Sequence, residues 1–387
     1  MPKVLRIINR FNIGGPTYNA TFLTKFLGDD FETLLIGGLP ENDEKDSLHI
    51  LEQYGVEAKL IPELQRTPNL KSDRAAYKRI KQIIEEFKPD IVHTHAAKAG
   101  AIGRKAALSC GVKVIVHTYH GHVFHSYFGK LKTLLYKKIE RQLAKKTTAI
   151  VAISELQKKE LCYEHKIAPE NKFHVISLGF DLSKFQENLS EKRKKTRERL
   201  QLSESDIAVE IVGRLVPIKN HSLFLDAIEL LAKESVFANY YIVGDGSERN
   251  TIETRVKELL AIYPVKITLI GWETDIATFN AGMDVLCLTS NNEGTPVSLI
   301  EAHAGNLPIV TTDVGGVRDI VKDEETAFVV PPKNAEQFAQ KLKILIQNEK
   351  IREKMSQNGW TYVKDNFDYR TLTKNMRDLY YKLLTEK

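Results

Sequence analysis

The segment Asn291-Asn292-Glu293-Gly294-Thr295-Pro296-Val297-Ser298-Leu299-Ile300-Glu301-Ala302 follows directly on an apolar run, Asp284 to Thr289. A strand that ends in a polar loop and restarts as an apolar helix is the repeating unit of a parallel α/β sheet. Thr295 followed by Pro296 reads as a helix N-cap with proline in the first turn. The helix is therefore expected to begin at the carboxyl edge of a sheet. Its unpaired amides at Val297 and Ser298 would face an anion, and the helix macrodipole favours a diphosphate there. Glu301 falls about five residues into this helix, ~8 Å along its axis, while Glu293 stays in the loop. The two carboxylates can then address different parts of one extended ligand.

The same strand-end pattern recurs upstream in Val212-Gly213-Arg214-Leu215-Val216-Pro217-Ile218-Lys219-Asn220. Gly213 and Pro217 bend the chain, so Arg214 and Lys219 can converge on one polyphosphate. A charge-assisted hydrogen bond contributes about 1.5–3 kcal/mol. Fixed cations placed where charge accumulates on a departing diphosphate stabilise the transition state preferentially. Val243-Gly244-Asp245-Gly246-Ser247 is a similar turn. Runs at Ala208 to Val212, Tyr240 to Val243, Ile267 to Ile270, Val285 to Leu288, Ile309 to Thr311 and Phe328 to Val330 supply the strands of this half.

An earlier set of runs, Val4 to Phe11, Thr33 to Gly37, Ile91 to Thr94, Val114 to Thr118, Ala149 to Ile153 and His174 to Leu178, alternates with helical stretches in the same way. Continuous apolar runs joined by crossover helices indicate parallel strands covered on both faces, with ligands at their carboxyl ends. The chain has 387 residues, a natural length for two such domains. The fold class expected is α/β, with two Rossmann-like doubly wound domains. The first spans residues 1–180; 181–205, rich in polar residues, reads as a linker; 206–366, which carries the segments suited to a diphosphate, forms the second. The last helical stretches, Glu336 to Gln347 and roughly Tyr369 to Leu384, have no strand between them, and the segment 367–387 is expected to pack back on the first domain.

His117-Thr118-Tyr119-His120-Gly121-His122-Val123-Phe124-His125 holds four of the eleven histidines at a strand end. No carboxylate or thiol stands beside them at zinc spacing, so polar contacts with a sugar are the reading preferred to a metal site. Gly14-Gly15, after the first strand, allows close backbone approach to a phosphate, but it is no GxGxxG and implies no nicotinamide cofactor. The three cysteines, Cys110, Cys162 and Cys287, form neither a CxxC nor a disulfide frame, which fits a reducing cytoplasm. The basic, then apolar N-terminus is interrupted too early for a signal peptide or membrane span. A net charge of +6 suits phosphate-bearing ligands or an anionic membrane, and no nucleic-acid partner is expected.

Taken in order, Gly14-Gly15, His120, Gly213 to Lys219, Val243 to Gly246, and Glu293 and Glu301 with seven residues between them resemble the retaining family 4 glycosyltransferases of the glycosyltransferase B fold, in which two Rossmann-like domains face each other across a cleft. The resemblance implies that Arg214 and Lys219 bind the diphosphate of a nucleotide-sugar donor, that Glu301 holds the ribose hydroxyls, and that Glu293 contacts the transferred sugar. It makes 1–180 the acceptor-side domain and 206–366 the donor-nucleotide domain, and places His120 near the reacting sugar and Gly14 or Gly15 at the diphosphate. Amides after Gly294, with Thr295, Val297 and Ser298, complete the anion site, and Gly271 and Trp272 border the nucleobase. Many relatives carry Pro-Phe-Gly where this chain has Gly294-Thr295-Pro296, a difference that bears on sugar selectivity. UDP is the nucleotide expected on family grounds. With no Asp-x-Asp in the sequence, neither metal nor other cofactor is expected.

The stretch Tyr127 to Lys146 interleaves lysines and Arg141 with apolar residues, as a helix resting on an anionic inner leaflet would. The segment from His120 to Phe128 resembles enzymes of bacterial surface-polysaccharide and lipopolysaccharide assembly, which implies a glycan or lipid-linked acceptor and a cytoplasmic enzyme peripheral to the membrane. Two other functions fit the same architecture: a sugar-nucleotide epimerase, and an inactive nucleotide-binding partner protein.

Overall fold

Ile91–His95 and Val114–Tyr119 are buried along their whole length, and strands with no exposed face belong inside a sheet covered by helices on both sides. The computed structural model describes residues 1–11, 15–39, 47–65, 67, 69–120 and 130–386. They form two units, Met1–Phe180 with Phe367–Lys387, and Asp181–Asn366.

In the first unit the strands are β1 (Lys3–Arg10), β2 (Glu32–Gly38), β3 (Ala58–Leu60), β4 (Ile91–His95), β5 (Val114–Tyr119), β6 (Ala149–Ala152) and β7 (Phe173–Val175). They are parallel, in the order β3-β2-β1-β4-β5-β6-β7. Helices α1 (Gly15–Phe26), α2 (Leu48–Gln53), α3 (Leu70–Phe87), α4 (Ala97–Ser109), α5 (Lys130–Lys146) and α6 (Glu155–Lys159) connect them. The second unit holds α7 (Leu189–Arg199), β8 (Ala208–Val212), α8 (His221–Lys233), β9 (Asn239–Val243), α9 (Arg249–Ile262), β10 (Lys266–Gly271), α10 (Ile276–Ala281), β11 (Val285–Leu288), α11 (Val297–Ala304), β12 (Ile309–Thr312), β13 (Ala327–Val330) and α12 (Ala335–Gln347). Its parallel order is β10-β9-β8-β11-β12-β13. Strand order reverses at β1/β4 and at β8/β11, and those are the positions where a doubly wound sheet opens a crevice for ligand.

The apolar runs became strands because their side chains fill a core on each face of the sheet. In the second unit Val209, Ile211, Tyr240, Ile242, Val285 and Val310 pack with Phe224, Phe338 and Leu342 from the covering helices. β3 was not anticipated: Ala58-Lys59-Leu60 is a short edge strand, partly exposed, with no apolar run to announce it.

A helix α13 (Glu349–Phe367) leads into α14 (Tyr369–Thr385). In the first unit α14 buries Leu372, Met376, Leu379, Tyr380 and Leu383 against Val4, Phe22, Leu23 and Phe31. Phe26 and Tyr369 stack at 4.2 Å, and Arg377 pairs with Asp30 at 2.6 Å.

Residues 181–205, read from the sequence as a linker, lie within the second unit. The guanidinium of Arg197 is 2% exposed and donates to the Gly282 carbonyl (3.1 Å), the Asp206 carbonyl (2.7 Å) and that of Ser203. Arg193 and Arg197 both reach Asp284, and Thr196 donates to the Thr278 carbonyl. Polar composition suggests a solvated connector, but here the polar side chains are what fasten α7 to α10 and to the amino ends of β8 and β11.

Candidate active site

The loops after β8 and β11 are joined to each other. Thr289 Oγ1 donates to the carbonyls of Lys219 (3.1 Å) and Asn220 (3.0 Å), and the Asn291 amide donates to Ile218 O at 2.8 Å. Pro217–Lys219 forms a single 3-10 turn closed by Asn220 in the left-handed region, φ 49°. This turn folds Lys219 back over Gly213, where a Cβ would come within 3.6 Å of its Cδ. The Lys219 ammonium meets Glu293 Oε1 at 2.5 Å, and the two side chains are 20% and 9% exposed. Ser290 Oγ donates to the same oxygen at 2.6 Å, while Oε2 has no hydrogen bond among the described residues. Arg214 is exposed, and among the described residues no carboxylate pairs with it.

α11 starts at Val297, with Pro296 at the N-cap position in an extended conformation (φ −72°, ψ 98°) and no side-chain cap. The Thr295-Pro296 pair predicts Thr295 as the cap and Pro296 as the first helical residue. The proline ring disfavours helical backbone at the residue before it, and with Pro296 itself extended the helix begins one residue later. Val297 and Ser298 are the first two helical residues, so their amides have no acceptor four residues back within the helix. Glu301 is the fifth residue of α11. Burial pushes its carboxyl up to about 7, opposed by the charge of Lys184. Behind it, Glu210 on β8 is fully enclosed; burial, with the charge of Glu301, holds its carboxyl well above the usual range.

Backbone contacts brace this arrangement. Gly315 has φ 50°, and a Cβ there would stand 1.9 Å from Glu293 O; one on Gly316 would stand 1.9 Å from Gly294 O. The Gly316 amide donates to Glu293 O. A Cβ on Gly244 (φ 133°) would meet Gly213 O at 2.0 Å. Gly271 closes β10 with φ 78°, its carbonyl accepts from the Gly244 amide, and Trp272 beyond it is 58% exposed. Ser290 and the Gly315-Gly316 clasp escaped the sequence reading. The signal for the clasp was present, a glycine doublet soon after a strand like Gly14-Gly15, but Ser290 had nothing to distinguish it from other loop serines.

In the first unit, Gly15 is the first residue of α1, and a Cβ there would meet Leu178 at 3.1 Å. Gly14, His122, His125 and residues 127–129 of the expected basic helix lie outside the described residues. His120 directly follows β5 and its Nε2 lies 2.8 Å from Nδ1 of His95 on β4, a residue the sequence reading did not select. Burial brings the His120 ring down to about 3, so it is neutral near pH 7. Among the described residues no group of three or more His, Cys, Asp or Glu is placed to hold a metal ion, and no helix is long and apolar enough to cross a membrane.

Two family profiles match the chain: Glycosyltransferase Family 4 over residues 23–184 and Glycosyl transferases group 1 over residues 192–361. A UDP-Gal:alpha-D-GlcNAc-diphosphoundecaprenol alpha-1,3-galactosyltransferase of Escherichia coli is 30% identical, covering 86% of this chain and 85% of that protein. The capsular polysaccharide biosynthesis glycosyltransferase CapM of Staphylococcus aureus is 27% identical over 87% and 88%. Among solved structures, Anabaena HepE in complex with UDP superposes with a TM-score of 0.82 at 19% identity, covering 98% of this chain and 100% of the other. On these similarities, and with two parallel-sheet domains of matching topology, the chain belongs to the family 4 glycosyltransferases of the glycosyltransferase B fold.

Proposed function

We propose that the chain transfers a sugar from UDP to a lipid-linked glycan acceptor, with retention at the anomeric carbon and without a metal ion. The observation that carries this reading is the Lys219–Glu293 pair beside the start of α11. An ammonium has three donors, so Lys219 can hold Glu293 and still take a phosphate oxygen. Both bonds to Glu293 fall on Oε1, which leaves Oε2 to accept a hydroxyl of the transferred sugar. Arg214 and the amides of Val297 and Ser298 supply the remaining charge for the diphosphate, and Glu301 takes the ribose hydroxyls. By family resemblance His120 contacts the reacting sugar, Gly15 approaches the diphosphate, and Gly271 and Trp272 border the base.

In this mechanism the bond between the anomeric carbon and the β-phosphate oxygen breaks as the acceptor hydroxyl attacks from the same face. The acceptor proton passes to a donor phosphate oxygen, and no enzyme side chain becomes covalently attached. Cations and amides that favour the diphosphate more as it gains charge act on the barrier rather than on donor binding. The similarity to an enzyme named for UDP-Gal and a diphosphoundecaprenol-linked sugar supports both donor and acceptor class. On α5, Leu134 and Leu135 are 62% and 57% exposed, with Lys138, Lys145 and Lys146 exposed on the same helix. That composition suits contact with an anionic membrane carrying the acceptor.

The test is incubation with UDP-galactose and GlcNAc-diphosphoundecaprenol, with and without EDTA. An α-linked disaccharide lipid formed equally in both is the expected product. A β-linked product would overturn retention, and loss of activity in EDTA would overturn metal independence. Interconversion of the UDP-sugar without acceptor would establish the epimerase reading instead.

A further inference from the structure

β4 carries three consecutive buried polar residues, His93, Thr94 and His95, where an apolar strand interior is the norm. His93 is satisfied at both nitrogens, by Tyr380 of α14 at 2.5 Å and by Thr118 of β5 at 2.7 Å. His95 projects from the same face two residues on, its ring 4.2 Å from that of His93. His95 Nδ1 meets His120 Nε2 at 2.8 Å, with the rings nearly parallel at 24°. The outer nitrogens, His95 Nε2 and His120 Nδ1, are enclosed and have no partner among the described residues.

Burial keeps both rings neutral, and a neutral imidazole carries one donor and one acceptor. Their mutual bond uses one of each, so one unmet N–H and one unmet lone pair remain, on different rings. An orphaned buried N–H is harder to tolerate than an orphaned acceptor. Both outer nitrogens are enclosed, but His95 is sealed at 0% exposure, whereas His120 is half-buried at the carboxyl end of β5, the side on which a doubly wound sheet binds its ligand. The less costly arrangement puts the free N–H on His120.

We propose that His95 is a positioning residue for His120: its Nδ1–H donates to His120 Nε2, fixing the orientation of that ring and the tautomer in which His120 offers an Nδ1–H to an oxygen of the nucleotide sugar. The inference rests on the reading of His120 as a contact of the reacting sugar. His93, locked between Tyr380 and Thr118, supports the stack from behind.

Two readouts test it on the full chain. In protein with 15N-labelled histidine, assigned by the signal missing from H120A, His120 is expected to carry its proton on Nδ1. In H95F, which keeps the ring volume without the hydrogen bond, that fixed tautomer is lost, while in H95N the amide nitrogen can stand where Nδ1 stood and preserve it. UDP release from UDP-galactose should fall about tenfold in kcat for H95F, with the donor KM within about twofold of wild type, and H95N should recover most of the loss. A wild-type His120 protonated on Nε2 overturns the proposal, as does an H95F enzyme turning over like wild type beside an inactive H120A. An H120A enzyme as active as wild type overturns the reading of His120, whereas the NMR signal reports the hydrogen bond independently. If H95F does not fold, the wild-type and H95N tautomers decide.

Discussion

The carboxyl of Glu301 provides a test by pH alone. Burial raises it from an ordinary 4.5 to about 7. If the carboxylate accepts the ribose hydroxyls, UDP binds the ionised form preferentially. About one chain in eleven is ionised at pH 6 and about ten in eleven at pH 8, so linkage predicts roughly tenfold tighter UDP binding at pH 8. UDP titrates in part of the same range, its terminal phosphate near pH 6, so the comparison is with Glu301→Gln, which keeps the ligand's own dependence and loses the protein's. His120 and His303, lowered to about 3 and about 4, add no titration there. The folded protein without ligand must behave consistently. A carboxyl raised above its unfolded value stabilises most below pH 4.5, and that contribution is lost as pH rises through about 7; the full difference is ~3 kcal/mol. Titration calorimetry with UDP at pH 6, 7 and 8, and thermal melts over the same range, measure the two effects. Identical pH slopes for wild type and Glu301→Gln would refute the assignment of Glu301 to the ribose.

Three other perturbations probe separate parts of the site. Lys219→Ala removes a charge-assisted contact and should lower kcat by about 10- to 100-fold with a smaller change in donor KM; the opposite split, measured by UDP release, would make Lys219 a ground-state binder only. Gly316→Ala places a Cβ 1.9 Å from Gly294 O, so the loop must shift, at a cost of about 1–3 kcal/mol seen as a lower melting temperature and weaker UDP binding. Gly294→Ala, with nothing within 4 Å of its Cβ, should melt like wild type, and equal melts for both variants would dismiss the clasp. Replacing Leu134 and Leu135 by Ser and Lys138, Lys145 and Lys146 by Gln should weaken binding to phosphatidylglycerol vesicles by more than 100-fold at about 1 kcal/mol per charge; unchanged sedimentation with vesicles would discard the membrane contact.

Strand identity was local information and legible as such. Ala208–Val212 and Val285–Leu288 are strands over the very residues their runs marked, because a strand buried on both faces is mostly apolar over consecutive positions, and Glu210 is the one charged residue in these two. The proline of the 291–302 segment likewise fixed where a helix could start, to within one residue. What remained illegible depended on neighbours distant in sequence. Arg197 gave no sign that carbonyls from residues 203, 206 and 282 would bury it. His95 was one of eleven histidines until β4 lay beside β5 and set its ring against His120. Glu301 was an ordinary acid until the fold half-buried it on α11 in front of Glu210. Periodicity and turn chemistry act over a few residues and can be read along the chain, whereas desolvation and hydrogen-bond partners exist only after segments far apart in sequence are brought together by the sheet.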